Sequence, residues 1–239
     1  MKHKHKLIIF IVSLIIVIIG IICIYWDSKL NQSDNNIQLK DSYSQFGQDI
    51  DIIEYLNNKK DGYFVDIGAT NGIDISNTYL LEEGHNWNGI CIEPQENYYK
   101  QLIKNRNCHT DNSLLFSEKG KLVDFSEAGD LGGITSYIDK HTDAKNSKQI
   151  KLTTETLTNI LVKYNAPTTI DYMSLDTEGS ELEILKGIDF DTYKFGIMTI
   201  EHNHVEPRRS DIRTFLEEKG YKFYKEKGVD DYYVLFKFV

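Results

Sequence analysis

Val65-Asp66-Ile67-Gly68-Ala69-Thr70-Asn71-Gly72 is the stretch on which the fold turns. Tyr63 to Ile67 is a short apolar run of buried-strand type carrying Asp66, and it breaks into glycine-bearing backbone at Gly68. A strand, a sharp turn and a helix in that order make the unit of a doubly wound sheet, where ligands bind in the crevice outside the strand's carboxyl end. Gly68 and Gly72 would let a ligand approach the backbone closely. Asp66 suits a ligand carrying a cationic amine. The G-x-G-x-x-G pattern that presents amides to a pyrophosphate fails at Thr70. The plainer alternative is an ordinary strand-to-helix turn with a solvated Asp66.

Outward from this turn, apolar runs alternate with helical spacing. Ile50, Ile53 and Leu56 share a helix face before the first strand. Ile75, Tyr79 and Leu80 predict a helix after the turn, stopped by Gly84. Gly89 to Glu93 is the next buried strand, and Pro94 opens a helix carrying Tyr98, Leu102 and Ile103. The middle is less regular, with strand-like runs at Ser113 to Phe116 and Lys121 to Phe125 and a loop at Gly129 to Ser136. Leu157, Ile160, Leu161 and Tyr164 give a helix, and Ile170 to Leu175 a strand. Ser180 with Glu183 has the form of a capping box, and Gly187 closes that helix. Phe195 to Ile200 is a strand, and Ile212, Phe215 and Leu216 mark a helix closed by Gly220. Tyr221 to Tyr224 and Tyr232 to Phe238 form a terminal antiparallel pair. The fold class is therefore α/β, with a doubly wound, mainly parallel sheet.

Three further acidic positions join the pattern. Glu93 ends the strand after Asp66, where a carboxylate can accept both hydrogen bonds of a ribose diol. With Asp66 on the neighbouring strand, the pair fits S-adenosylmethionine, which carries both an amine and a ribose. Asp176 and Glu178 cluster where a later strand meets a helix, and the strand after it ends in Glu201-His202-Asn203-His204. Neighbouring strand ends bring Asp176 and Glu178 towards His202 and Asn203, a group able to hold a hydroxyl for deprotonation. Oxygen and imidazole ligands could also take a divalent ion there. No metal is assigned, because His-x-His beside an acid is common in solvent-facing sequence.

The chain has 239 residues and a formal charge of -9. Lys2, Lys4 and Lys6 are the only Lys, Arg, Asp or Glu residues before Asp27, so the remainder is more acidic still. With no basic stripe, nucleic-acid binding is excluded as an expectation. Three cysteines without a CxxC spacing read as buried thiols with no disulfide partner. Leu7 to Tyr25 is 19 uncharged residues, long enough to span a bilayer as an uncleaved anchor. Tyr25 and Trp26 fit an interfacial belt, and the preceding lysines favour a cytosolic N-terminus. The expected layout is a cytosolic tip and single-pass anchor over 1–26, a polar tether over 27–42 and one domain over 43–239. That orientation puts the domain across the membrane from the cytosol, where the methyl donor is made.

Taken together, these motifs resemble the FkbM family of methyltransferases. The resemblance rests on Ser44 to Asp49, the VDIGATNG run, Ser76-Asn77-Thr78, Trp87 to Pro94, Ile134-Thr135-Ser136, SLDTEGSELEILKGI at 174–188, and Glu201-His202-Asn203. It covers about Tyr43 to Tyr221 and leaves out the anchor. It implies a seven-stranded Rossmann-like sheet, S-adenosylmethionine as donor, and O-methylation of a sugar or polyketide hydroxyl. By that likeness Asp66, Gly68 and Glu93, with Gly72 in the same turn, would bind the cofactor, and Asp111 or Asn112 would approach the adenine. Asp176, Glu178 and His202 would line the acceptor side, with His202 or Asp176 as general base. Glu178 and Asn203 would orient the acceptor, with Ser136 on the same side. A membrane tether makes a glycan or glycolipid the expected acceptor. A non-catalytic nucleoside-binding module and a nicotinamide-dependent oxidoreductase are the rival readings. The intact Asp66, Gly68 and Glu93 speak against the first, and Thr70 against the second.

Overall fold

Five residues of β1 (Tyr63–Ile67) sit inside the sheet, with Phe64, Val65 and Ile67 buried, which is why the run lacks alternation. The computed structural model of the chain describes residues 42–235. The expected anchor and nearly all of the tether lie outside them; among the described residues no helix is long and apolar enough to cross a membrane.

β1 pairs in parallel with β2 (Asn88–Ile92) on one side and with β8 (Thr169–Leu175) on the other. β2 continues to β3 (His109–Asp111), and β8 to β9 (Lys194–Glu201). β11 (Asp230–Leu235) runs antiparallel to β9, and β10 (Tyr221–Lys227) closes the edge, giving the order β10-β11-β9-β8-β1-β2-β3. This is a seven-stranded, mainly parallel sheet with a terminal hairpin. Its helices are α1 (Gln48–Tyr55), α2 (Tyr79–His85), α3 (Glu96–Asn105), α4 (Leu157–Lys163), α5 (Glu181–Lys186) and α6 (Arg208–Glu218). The largest core cluster draws on β1, β2, β8, β9, α4, α5 and α6, including Val65, Ile90, Leu161, Met173, Leu185, Phe195 and Leu216.

Four local expectations are corrected. α2 begins at Tyr79, not Ile75. Asn71 Oδ1 accepts from the N–H groups of Ile73 and Asp74, so the chain turns there instead of starting a helix, and Ile75 is exposed with φ 52°. α2 also runs through Gly84 and stops at Asn86, which takes the left-handed conformation with φ 57°. Ser180 precedes α5 without capping it. Its hydroxyl donates to Thr177 Oγ1, Glu183 pairs with Lys186, and Glu181 Oε1 instead accepts from the N–H groups of Thr177 and Gly179.

The fourth correction is a second sheet. β4 (Leu114–Leu115), β5 (Leu122–Glu127), β6 (Gly133–Ile134) and β7 (Lys148–Glu155) form a four-stranded layer in the order β4-β7-β5-β6. Its apolar face gathers Leu114, Phe116, Phe125 and Ile134, with Ile150 and Leu152 packed against them. The stretch expected to be a loop at Gly129 to Ser136 therefore contains β6, and β7 is a strand the sequence reading passed over.

Candidate active site

The carboxyl ends of β1, β2 and β8 open into one cleft, and β5 and β6 of the small sheet wall its far side. Its volume is about 790 Å³, counting space open to solvent, a size suited to a nucleoside-sized ligand. Asp66, Gly68, Thr70, Glu93, Ser174 and Asp176 line the polar side; Ile92, Leu114, Leu115, Phe125 and Ile134 line the apolar side.

Asp66 is buried at the end of β1 and accepts a hydrogen bond from the Thr78 hydroxyl at 2.6 Å. Burial pushes its carboxyl above the usual range, opposed by the charge of Arg106 and by the hydroxyls of Thr78 and Ser174. Arg106 does not figure in the sequence reading, yet it organises this region. Its side chain is wholly buried, pairs with Glu82 at 2.5 Å, and donates to the Gly72 carbonyl, Ser76 Oγ and Thr78 Oγ1. One guanidinium thus pins the loop between Thr70 and Thr78 to the body of the sheet. A lone Arg at a helix end carries no sequence signal of that role.

Glu93 is buried at the end of β2. Its Oε2 accepts from the Thr70 N–H at 3.0 Å and its Oε1 from the Gln95 N–H at 2.8 Å. Burial raises its pKa to about 7, with those two amides pulling the other way and Asp66 adding to the rise. Oε1 also accepts from the Gln95 side-chain amide at 3.4 Å, so the free lone pair for a ligand hydroxyl is on Oε2.

The two glycines of the turn differ. Gly68 lines the cleft with φ 86°. Gly72 does not line it; its φ of 84° and the 2.6 Å a Cβ would leave to Leu102 Cδ1 on α3 are what call for glycine there. Asp111 is likewise drawn off. Its carboxylate takes the Lys163 ammonium at 2.7 Å and the Tyr164 hydroxyl at 2.9 Å, which outweigh its burial and lower its pKa. Asn112 donates to the Glu93 carbonyl. Neither lines the cleft; Ser113, one residue on, does. Ser136 is exposed and outside the cleft.

Asp176, immediately after β8, lines the cleft. Burial pushes its carboxyl well up, and the charges of Asp230, Glu178 and Glu181 add to the rise. Glu178 is buried in a left-handed turn with φ 59°; its pKa is raised to about 7 by burial and by Glu181. Asn203 donates to Glu178 Oε2 at 3.4 Å. Glu201, passed over as a site residue, is buried beside Asp176 with its Oε2 lacking any donor.

His202 is turned to other work. Its Nδ1 accepts from the His204 N–H at 2.9 Å, which leaves the ring proton on Nε2; that nitrogen lies 3.4 Å from Asp231 Oδ1 but makes no hydrogen bond. Burial would raise Asp231, but His202, Arg209 and Arg213 together hold it far below the usual carboxylate range. His202 does not line the cleft.

Residues 66–223 match the model of the methyltransferase FkbM domain. The chain belongs to the FkbM methyltransferase family. Its family makes S-adenosylmethionine the cofactor, and its fold is of the class I methyltransferase type. No curated protein matches the sequence. Among solved structures, precorrin-6y C5,15-methyltransferase from Geobacter metallireducens GS-15 is 16% identical, with 78% of this chain and 84% of that one covered and a TM-score of 0.40. A SAM-dependent methyltransferase from Aquifex aeolicus is 15% identical, covering 87% and 95%, with a TM-score of 0.37. The N-terminal domain of human METTL16 is 11% identical, covering 80% and 67%, with a TM-score of 0.43.

Proposed function

We propose that this FkbM methyltransferase transfers a methyl group to a hydroxyl of a carbohydrate or glycolipid, producing a methyl ether. The observation that carries the reading is the convergence of Asp66, Glu93 and Asp176 on one cleft from three adjacent strand ends. The donor set fits S-adenosylmethionine: a carboxylate for the amine at Asp66, a spare Oε2 lone pair for a ribose hydroxyl at Glu93, and an apolar wall at Leu114, Phe125 and Ile134 for a planar base. When bound, that cofactor supplies a methyl group on a sulfonium.

Asp176 is the general base in this reading. It lines the cleft at the end of β8, on the side where Glu178 and Asn203 lie. Asp176 would take the acceptor's hydroxyl proton as the methyl group is transferred. Glu178 and Asn203, bonded to each other beside it, orient the acceptor. The small sheet screens the cleft from water along one wall. The glycan assignment follows from the expected anchor at Leu7 to Tyr25, which would hold the enzyme among lipid-linked and surface sugars.

The test is to incubate the full chain with methyl-labelled S-adenosylmethionine and three acceptor classes: glycolipids, free oligosaccharides and phenols. The expected result is label in the sugar fractions as an alkali-stable ether. Label released as methanol by mild alkali would show ester formation on a carboxylate and contradict the reading.

A further inference from the structure

Leu175 of β8 and Ile200 of β9 are register partners, so Asp176 and Glu201 emerge side by side from adjacent parallel strands. Glu178 folds back onto them through its left-handed turn. One carboxylate oxygen from each of the three lies within 4.8 Å of the others. Among the described residues none of the three has a Lys or Arg partner; the nearby Arg208 is taken by Glu181 and Asp139 and donates to the His202 carbonyl. Glu201 is 5% exposed, and its Oε2 is buried without a hydrogen-bond partner.

Three carboxylates facing one another out of water repel strongly unless protons or a cation lie between them. We propose that Asp176, Glu178 and Glu201 form a binding site for a divalent cation of the calcium, magnesium or manganese type. An all-oxygen, triply anionic set suits a hard cation. The spacing suits one as well: oxygens around an ion bound at about 2.3–2.6 Å stand roughly 3.3–5.2 Å apart. The orphaned Oε2 of Glu201 is the second sign, because a buried acceptor without a donor is costly and a cation would satisfy it. The other His and acidic grouping, His202, His204 and Glu226, is a poorer site because His204 and Glu226 are exposed, where water can satisfy them.

Asp176 also lines the cofactor cleft, so the cation would sit at the boundary between the cleft and the acceptor side. There it would hold an acceptor oxygen and make its proton easier to remove. That role rests on the proposed methyl transfer; the existence of the site does not.

Manganese is the probe, and the cofactor is left out so that the two proposals fail separately. The full chain, freed of metal by chelation and dialysis, is titrated with Mn²⁺ while the free-ion paramagnetic resonance signal is followed. The expected result is one ion bound per chain at or below about 1 mM, at least about tenfold weaker in Glu201→Gln and unchanged in His204→Ala. Absence of binding by the wild-type chain, or equal binding by Glu201→Gln, overturns the site and leaves shared protons as what quiets the three acids. Loss of binding in His204→Ala overturns it in favour of the His202 grouping. The wild-type chain also tests it alone: saturating Mn²⁺ raises its Tm by linkage, and an unmoved Tm counts against the site.

Discussion

The backbone of Gly68 lies directly against the carbonyl of Asp176: a Cβ built on Gly68 would stand 1.8 Å from that oxygen. The Asp176 N–H also donates to the Ile67 carbonyl at 3.0 Å. The turn that lines the cofactor side and the strand end that carries the proposed base are therefore fixed to each other through main chain. Gly68→Ala must shift one of the two and must place a side chain at φ 86°. It is expected to cost about 3 kcal/mol or more of stability, read as a lowered denaturation midpoint, and to weaken S-adenosylmethionine binding with it.

Arg106→Leu should be similarly severe. It leaves the Glu82 carboxylate, 7% exposed, without its guanidinium and releases the loop from Gly72 to Thr78. Breaking a buried pair from one side costs about 3–5 kcal/mol. Hydrogen exchange at residues 70–78 should quicken, which separates loop release from a general loss of stability.

Much of this was legible beforehand, and the exceptions share a cause. Buried strands such as Tyr63–Ile67 and Thr169–Leu175 announce themselves because both faces are apolar. β7 did not: Lys148 and Lys151, paired with Glu127 and Asp124, interrupt the run, and its inner side offers only half-buried Ile150 and Leu152 and the polar Thr154. Without it, the strand-like runs at 113–116 and 121–125 had no partner to join them into a sheet. Among site residues, Asp66, Glu93 and Asp176 could be placed from strand ends alone. Asp111 and His202 could not, because what decides them is the partner each finds across the fold, Lys163 in one case and Asp231 in the other. Arg106 and Glu201 were missed for the same reason.

Glu93 makes cofactor binding depend on pH. A carboxyl whose pKa is raised by folding, here to about 7 from 4.5, stabilises the fold below pH 4.5, and that contribution is lost as pH climbs through about 7. Binding runs the other way, since the ionised form accepts a ribose hydroxyl. Affinity should rise by up to about tenfold between pH 6 and pH 8. Glu93→Gln should flatten that rise in titrations at the two pH values.

His202 is expected to behave as a structural residue. His202→Gln should lower Tm, because the ring accepts from the His204 amide beside Asp231. It should lower kcat by less than about tenfold, whereas Asp176→Asn should lower it by about 10²–10⁴, the usual contribution of a general base. Equal losses would return His202 to the chemistry.

The central claim is that Asp66 and Glu93 hold S-adenosylmethionine in the cleft at the ends of β1 and β2. Calorimetric titration of the cofactor into the full chain, beside Asp66→Ala and Glu93→Ala, tests it most directly. The account predicts saturable one-to-one binding by the wild type and a loss of at least about tenfold in each variant, as expected when a charged hydrogen-bond partner is removed. Wild-type binding that both folded variants retain in full would contradict it.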